Sequence, residues 1–137
     1  MKPNYKILII DDNIIDQIVT KQLLKKALGI TDINIANNGI QGIQWLNNYK
    51  WNFEESLIIL LDIKMPEMDG FEFLSEFEML PEALKKETQI FMLSSTLDPN
   101  DITRAKSNKY VKSLLSKLFP VNQFREMIYS DSSSKTA

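Results

Sequence analysis

The sequence predicts a doubly wound α/β fold, with a five-stranded parallel sheet in the order 2-1-3-4-5 covered by helices on both faces, and three observations carry that prediction. Short apolar runs of strand length alternate with segments whose apolar residues recur every three or four positions. The segments between successive runs are long enough to make right-handed crossovers, so the strands run parallel. Two of the apolar runs stop at aspartates, Asp11-Asp12 and Asp62, at the carboxyl ends where open sheets of this kind bind their ligands.

Tyr5 to Ile10 is almost entirely apolar, as a strand buried on both faces requires, and gives the first strand. From Asn13 the period changes: Ile15, Val19, Leu23 and Ala27 fall on one line with Ile14 and Ile18 beside it, an amphipathic helix stopped by Gly29. Ile33 and Ile35 mark a short second strand, Asn37-Asn38-Gly39 a turn, and Ile40, Ile43 and Leu46 a second helix. After the polar connection Lys50 to Ser56, Leu57 to Leu61 is the most hydrophobic stretch and makes the central third strand. Phe71, Leu74 and Phe77 line a third helix after Gly70, and Pro81 opens a short helical or irregular extension. Ile90 to Leu93 is the fourth strand. Asp98-Pro99 pairs an N-cap with proline at the first helical position, opening a fourth helix through Ile102 and Ala105 that ends at Asn108. Val111 to Leu115 is the fifth strand, and Val121, Phe124 and Ile128 form the buried line of a fifth helix from about Pro120. Phe71, Phe73, Phe77, Trp45 and Trp51 are read as packing residues with no further role.

Composition narrows the chemistry. With 137 residues, 44% of them hydrophobic and a net charge of −2, the chain fits one domain, residues 1–130, followed by a polar tail, 131–137, expected to be disordered. Direct nucleic-acid binding is disfavoured by the absence of a basic field. No apolar run approaches the length of a membrane span, and Met1-Lys2-Pro3-Asn4 shows no signal-peptide pattern, so a cytoplasmic protein without membrane insertion is expected. The lack of cysteine and histidine removes thiol and imidazole chemistry and leaves carboxylates, hydroxyls and lysines.

Those groups converge at one sheet edge. Asp11 and Asp12 end the first strand, Asp62 the third and Ser94 the fourth, and Lys117 follows the fifth. Singly each has a bland reading: Asp12 as a helix cap, the serine as a turn residue, the lysine as a solvated charge. Their joint placement favours a site. Clustered carboxylates repel one another and are stable together with a hard cation such as Mg²⁺. A carboxylate nucleophile, a divalent ion, a lysine and a hydroxyl suit phosphoryl transfer through an aspartyl-phosphate.

The segment Leu60-Leu61-Asp62-Ile63-Lys64-Met65-Pro66-Glu67-Met68-Asp69-Gly70 resembles the phosphoacceptor loop of response regulator receiver domains, and the resemblance extends from about Tyr5 to Ser130. It implies a flavodoxin-like receiver fold of the single-domain chemotaxis-regulator type. It also implies Asp62 as phosphoacceptor, Asp12 as direct Mg²⁺ ligand, Asp11 as a metal-site carboxylate acting mainly through water, and the Lys64 carbonyl as a backbone ligand. Ser94 matches the family's switch hydroxyl and Lys117 its lysine. The implied protein is not an enzyme acting on a separate substrate but a phosphoacceptor that catalyses its own phosphorylation and dephosphorylation. A sensor histidine kinase or phosphotransfer protein would be the donor, and an output protein that the sequence does not name would be the reader. With only a short tail after the last helix, a stand-alone regulator, monomeric or weakly dimeric, is expected.

Two departures stand out. The family usually has Lys-Pro after the fifth strand with a cis peptide between them; here Lys117 precedes Leu118, and a non-proline cis bond costs about 2.5–4 kcal/mol, so a trans bond and a rearranged loop are expected. Where the family usually has an aromatic switch residue, this chain has Leu114, so Leu114 and Ser94 must carry the switch differently. Lys64 and Ser95 are expected to modulate phosphoryl lifetime. The competing readings are an unphosphorylated pseudo-receiver acting as a docking module, and an aspartyl-phosphate hydrolase, which lacks its Asp-x-Asp nucleophile pattern here.

Overall fold

The computed structural model describes residues 4–50, 54–95 and 98–136; Met1, Lys2, Pro3 and Trp51 lie outside the described residues. The elements are β1 (Asn4–Ile10), α1 (Ile14–Leu28), β2 (Ile33–Ala36), α2 (Gly39–Asn48), β3 (Glu55–Asp62), α3 (Gly70–Phe77), α4 (Glu82–Glu87), β4 (Thr88–Ser94), α5 (Pro99–Ser107), β5 (Val111–Ser116) and α6 (Val121–Thr136). The strands form one sheet in the order β2-β1-β3-β4-β5, parallel at every pairing, as predicted.

Side chains alternate across a strand, and the central strands are apolar at both parities, so the sheet builds a core on each face. Leu8, Ile10, Leu57, Ile59 and Leu61 point to one side, where Leu46 of α2, Phe73 and Phe77 of α3, Leu84 of α4 and Ala105 of α5 cover them. Ile7, Ile9, Ile58, Leu60 and Phe91 point to the other, against Leu24 of α1 and Phe124 and Ile128 of α6. Each such side chain, taken fully out of water, stabilises the fold by roughly 1.5–3 kcal/mol. Phe73 and Phe77 stack within α3, and Phe91 meets Phe124 edge-on at 5.1 Å between centroids; Phe71, Phe73 and Phe77 are core residues, and the partly buried Trp45 packs against the core and stacks on Tyr49.

Three local features differ from the sequence reading. The extension after Pro81, expected as helical or irregular, is a helix of its own, α4, so the described residues form six helices where five were counted from the sequence. The backbone of α6 stays helical to Thr136, across residues expected to form an irregular tail, and no glycine or proline interrupts that stretch. The third concerns α1, whose expected apolar face is turned outward. Ile14, Ile15, Ile18 and Val19 are exposed, Ile15 by 71%, while Gln17, Thr20 and Leu24 are buried. The cause is polar: the Gln17 side-chain amide donates to the Asp11 carbonyl at 2.6 Å and to Asn37 Oδ1 at 2.9 Å. These bonds hold the start of α1 against the end of β1, with Gln17 inward. Gly29 ends the helix in the left-handed conformation, φ 67°, its N–H bonded back to Leu24 and Lys25 carbonyls.

Candidate functional site

The register places the acidic residues together before any side chain is considered. Ile10 pairs with Leu61, so Asp11 and Asp62 leave neighbouring strands at the same level; Leu93 pairs with Asp62 and Ser94 with Ser116, which brings Lys117 to the same edge. Carboxylate oxygens of Asp11, Asp12 and Asp62 all lie within 4.8 Å of one another. Asp11 and Asp62 are almost completely buried, 1% and 3% exposed, and Asp12 opens to solvent. Asp12 is not the helix cap. Asn13 is, accepting from the Asp16 N–H at 3.0 Å, which leaves the Asp12 carboxylate to the cluster.

The loop after Asp62 is held by its own hydrogen bonds. The Ile63 N–H donates to the Leu93 carbonyl and the Gly70 N–H to the Ile63 carbonyl. Glu67 takes a positive φ of 67°, and Asp69 caps α3 in a reciprocal capping box with Glu72. Gly70 packs so tightly that a Cβ there would stand 2.7 Å from the Asp62 carbonyl oxygen. Only glycine lets α3 start this close to the end of β3.

Lys117 offsets part of the negative charge of the cluster. Its Nζ lies 3.2 Å from Asp11, 3.1 Å from Asp62 and 2.8 Å from Asp16. The lysine backbone N–H donates to the Ser94 carbonyl at 2.9 Å. No described peptide is cis, so the Lys117–Leu118 bond is trans, as expected, and the loop is rearranged: Leu118 is exposed while Phe119, at φ 42°, turns back into the core against Phe124.

Burial pushes the Asp62 carboxyl up to about 6, and the Asp11 charge adds to the rise, against the hydrogen bond and charge of Lys117. Burial likewise raises Asp11, offset in part by the Asn13 N–H and Lys117. For Lys117, burial pulls the ammonium down, but the hydrogen bonds to Asp16 and Asp62 and the charges of Asp62 and Asp11 outweigh it and leave it above the usual lysine range. A cluster with this surplus of negative charge has the donor set of a hard divalent cation.

The other named residues lie around this centre. Ser94 is half-buried at the end of β4, and Ser95 beside it is exposed. Lys64 is exposed and lines a depression of about 490 Å³ with Met65, Asp69, Asp101 and Arg104. Leu114 is half-buried and, with Ser94, Ile102 and Ala105, lines a groove of about 660 Å³ between α5 and β5. The sequence reading missed Asp16 and Gln17. Asp12 precedes the cap Asn13 and lies outside α1, so no helical spacing marks Asp16 or Gln17, whose partners are distant in sequence.

Comparison with known proteins agrees with this geometry. The sequence pattern of the response regulator receiver domain matches residues 7–129, and the chain belongs to that family. A response regulator receiver protein from Dyadobacter fermentans is 32% identical, with a TM-score of 0.82 over 90% of this chain and 94% of that one. A two-component response regulator from Cytophaga hutchinsonii is 26% identical, with a TM-score of 0.83 over 94% and 97%. The sensor histidine kinase CheAY of Helicobacter pylori is 41% identical over 73 residues, which is 53% of this chain and 8% of that protein. The chain spans only 7–21% of the length of three such curated relatives. Among the described residues no helix is long and apolar enough to cross a membrane.

The raised Asp62 carboxyl sets a pH dependence. Folded, it holds its proton up to about pH 6; unfolded, only to about 3.8, so between these values the native state binds the extra proton. The cost of the buried charge is fully present above pH 6 and is relieved as pH falls toward 4. In metal-free buffer the thermal midpoint should rise as pH drops from 7.5 to 5.5. Asp62→Asn should be more stable than the parent at pH 7.5 by on the order of 2 kcal/mol and lose most of that slope. A parent midpoint that falls over this window contradicts the assignment.

Proposed function

With membership of the receiver family as the premise, we propose that this chain accepts a phosphoryl group on Asp62 from a histidine kinase or phosphotransfer protein in the cytoplasm and signals through a protein partner. The observation that carries the reading is the Lys117 ammonium 3.1 Å from Asp62, itself set among two further carboxylates. With a carboxyl titrating near 6, Asp62 is ionised at neutral pH and able to act as nucleophile. Its oxygen attacks phosphorus, the P–N bond to the donor imidazole breaks, and the imidazole leaves with the electron pair. Lys117 stays beside the new ester and pairs with a phosphoryl oxygen, while the Ser94 hydroxyl contacts another.

Mg²⁺ fits the donor set: Asp12 and Asp62 would hold it directly with the Lys64 backbone carbonyl, Asp11 mainly through water, and when bound it supplies neutralising charge for the phosphoryl oxygens. Water later attacks phosphorus, the P–O bond to the Asp62 carboxylate breaks, and inorganic phosphate leaves with Asp62 restored. Lys64 and Ser95, both exposed at the rim, tune that step.

The exposed Ile14, Ile15 and Ile18 stand on the helix that carries Asp16. Such an apolar rim beside the acidic site supports a protein donor rather than a small metabolite alone. On the far side, the groove between α5 and β5 gives Leu114 and Ser94 room to move, which supports an output face built from α5, β5 and α6. A monomer or weak dimer is compatible with that face. The pseudo-receiver alternative draws on Leu118 and Leu114, but the contacts of Lys117 with Asp11 and Asp62 weigh against it.

Incubation with acetyl phosphate and Mg²⁺, read by intact-protein mass spectrometry, should add a single phosphoryl group, absent without Mg²⁺ and absent from Asp62→Ala. No adduct even with a cognate kinase would favour the docking module. Lys64→Ala should shorten the lifetime of the adduct by about three- to tenfold, since a nearby cation holds phosphate and hinders water; an unchanged dephosphorylation rate removes Lys64 from the account.

A further inference from the structure

We infer that Asp16 is a positioning residue for Lys117, holding its ammonium toward Asp62 from the side of α1. The inference rests on the reading that Asp62 takes up a phosphoryl group.

A lysine tip at the end of four rotatable bonds must be held by its contacts. The backbone here is anchored at the lysine through its N–H to Ser94 and beyond it through the Leu118 N–H to the Ser116 hydroxyl, contacts that fix the main chain but not the tip of the side chain. Beyond it Leu118 stands 89% exposed, and the chain is buried again only at Phe119, whose N–H bonds to Ser116. The ammonium itself is held by carboxylates from three other elements, Asp11 after β1, Asp16 of α1 and Asp62 at the end of β3. Asp16 makes the shortest of the three contacts, 2.8 Å. It is itself well placed to do so: it lies in the first turn of α1, and its N–H is bound by Asn13 Oδ1 while the adjacent Gln17 ties that turn to Asp11 and Asn37.

The three contacts are not equivalent. Asp11 and Asp62 belong to the carboxylate cluster, and Asp16 does not. Once Asp62 carries a phosphoryl group it no longer offers the same anionic carboxylate, and charge drawn toward a cation weakens the claim of Asp11 on the ammonium. The Asp16 bond survives both changes. It uses one ammonium proton from the side of α1 and leaves the others directed at the cluster, where a phosphoryl oxygen would stand.

The test uses the full chain with acetyl phosphate as donor and saturating Mg²⁺. Asp16→Ala should lower the rate constant of phosphorylation by about ten- to a hundredfold, with half-saturation by acetyl phosphate changed less than about threefold. Asp16→Glu, which keeps the charge on a longer arm, should recover most of the rate. In protein labelled with ¹⁵N-lysine, the slowly exchanging ammonium signal of Lys117, assigned by its loss in Lys117→Arg, should vanish in Asp16→Ala and persist in Asp16→Glu. If the alanine variant is poorly folded, Asp16→Asn takes its place, keeping an acceptor without the charge and giving an intermediate rate. The inference is overturned if Asp16→Ala reacts at the parent rate, if it slows while the Lys117 signal is retained, or if Asp16→Glu restores the signal but not the rate. A parent protein that never gains phosphate at Asp62 refutes the receiver reading instead, and the role in phosphorylation falls with it. In that event the ammonium signal still decides whether Asp16 holds Lys117.

Discussion

One ammonium group sits among four carboxylates at the carboxyl edge of the sheet, and the arrangement of the molecule follows from how that charge is managed. Lys117 touches Asp11, Asp16 and Asp62 at 2.8–3.2 Å, and two of those partners are almost fully buried. Placing ionised groups in such an interior is costly unless they are paired, and removing the lysine would leave the buried carboxylates uncompensated. The pairing draws on three separate parts of the chain. β1 and β3 must be neighbours for Asp11 and Asp62 to approach, and β5 must end beside β4 for Lys117 to reach them; the order β2-β1-β3-β4-β5 meets both conditions. Even so, one cation does not balance the cluster, and the upward displacement of Asp62 and Asp11 records the deficit.

That deficit gives the site its chemistry. A carboxyl raised to about 6 by burial is still ionised at physiological pH, as the proposed nucleophile must be. The surrounding charge is poised for a positive partner and then for the anionic oxygens that accompany a phosphoryl group. The conformational readout proposed for this chain would start from the same edge. Gly70 places the start of α3 in contact with the Asp62 carbonyl, and Arg104 of α5 lies over the Phe71 ring at 3.9 Å. A displacement of the loop after Asp62 therefore has a physical route to α5 that does not depend on an aromatic at position 114. The groove beneath Leu114 adjoins that helix.

The sheet was legible because its information is one-dimensional. Strands buried on both faces are written as continuous apolar runs, as in Leu57–Leu61, and the aspartates that end them mark the binding edge without any knowledge of contacts. Helix α1 was legible as a helix but not in its orientation. Periodicity assigns the isoleucines inward, whereas the bonds from Gln17 to Asp11 and Asn37 turn the helix the other way. Hydrogen bonds between residues as distant as 17 and 37 leave no periodic trace. The same reason hid Asp16, whose partner lies 101 residues away. The Lys117–Leu118 bond was readable as trans because the rule involved is local to two residues. The return of Phe119 into the core was not readable, since it depends on the space beside Phe124.

The central claim is that the surplus negative charge of Asp11, Asp12 and Asp62 makes a divalent-cation site controlled by the protonation of Asp62. Calorimetric titration with Mg²⁺ tests it most directly. The account predicts one ion bound per chain at pH 7.5, affinity that weakens as pH falls through about 6 where Asp62 takes up its proton, and loss of binding in Asp12→Asn. Absence of binding at pH 7.5, or binding equal in Asp12→Asn and indifferent to pH, would contradict it.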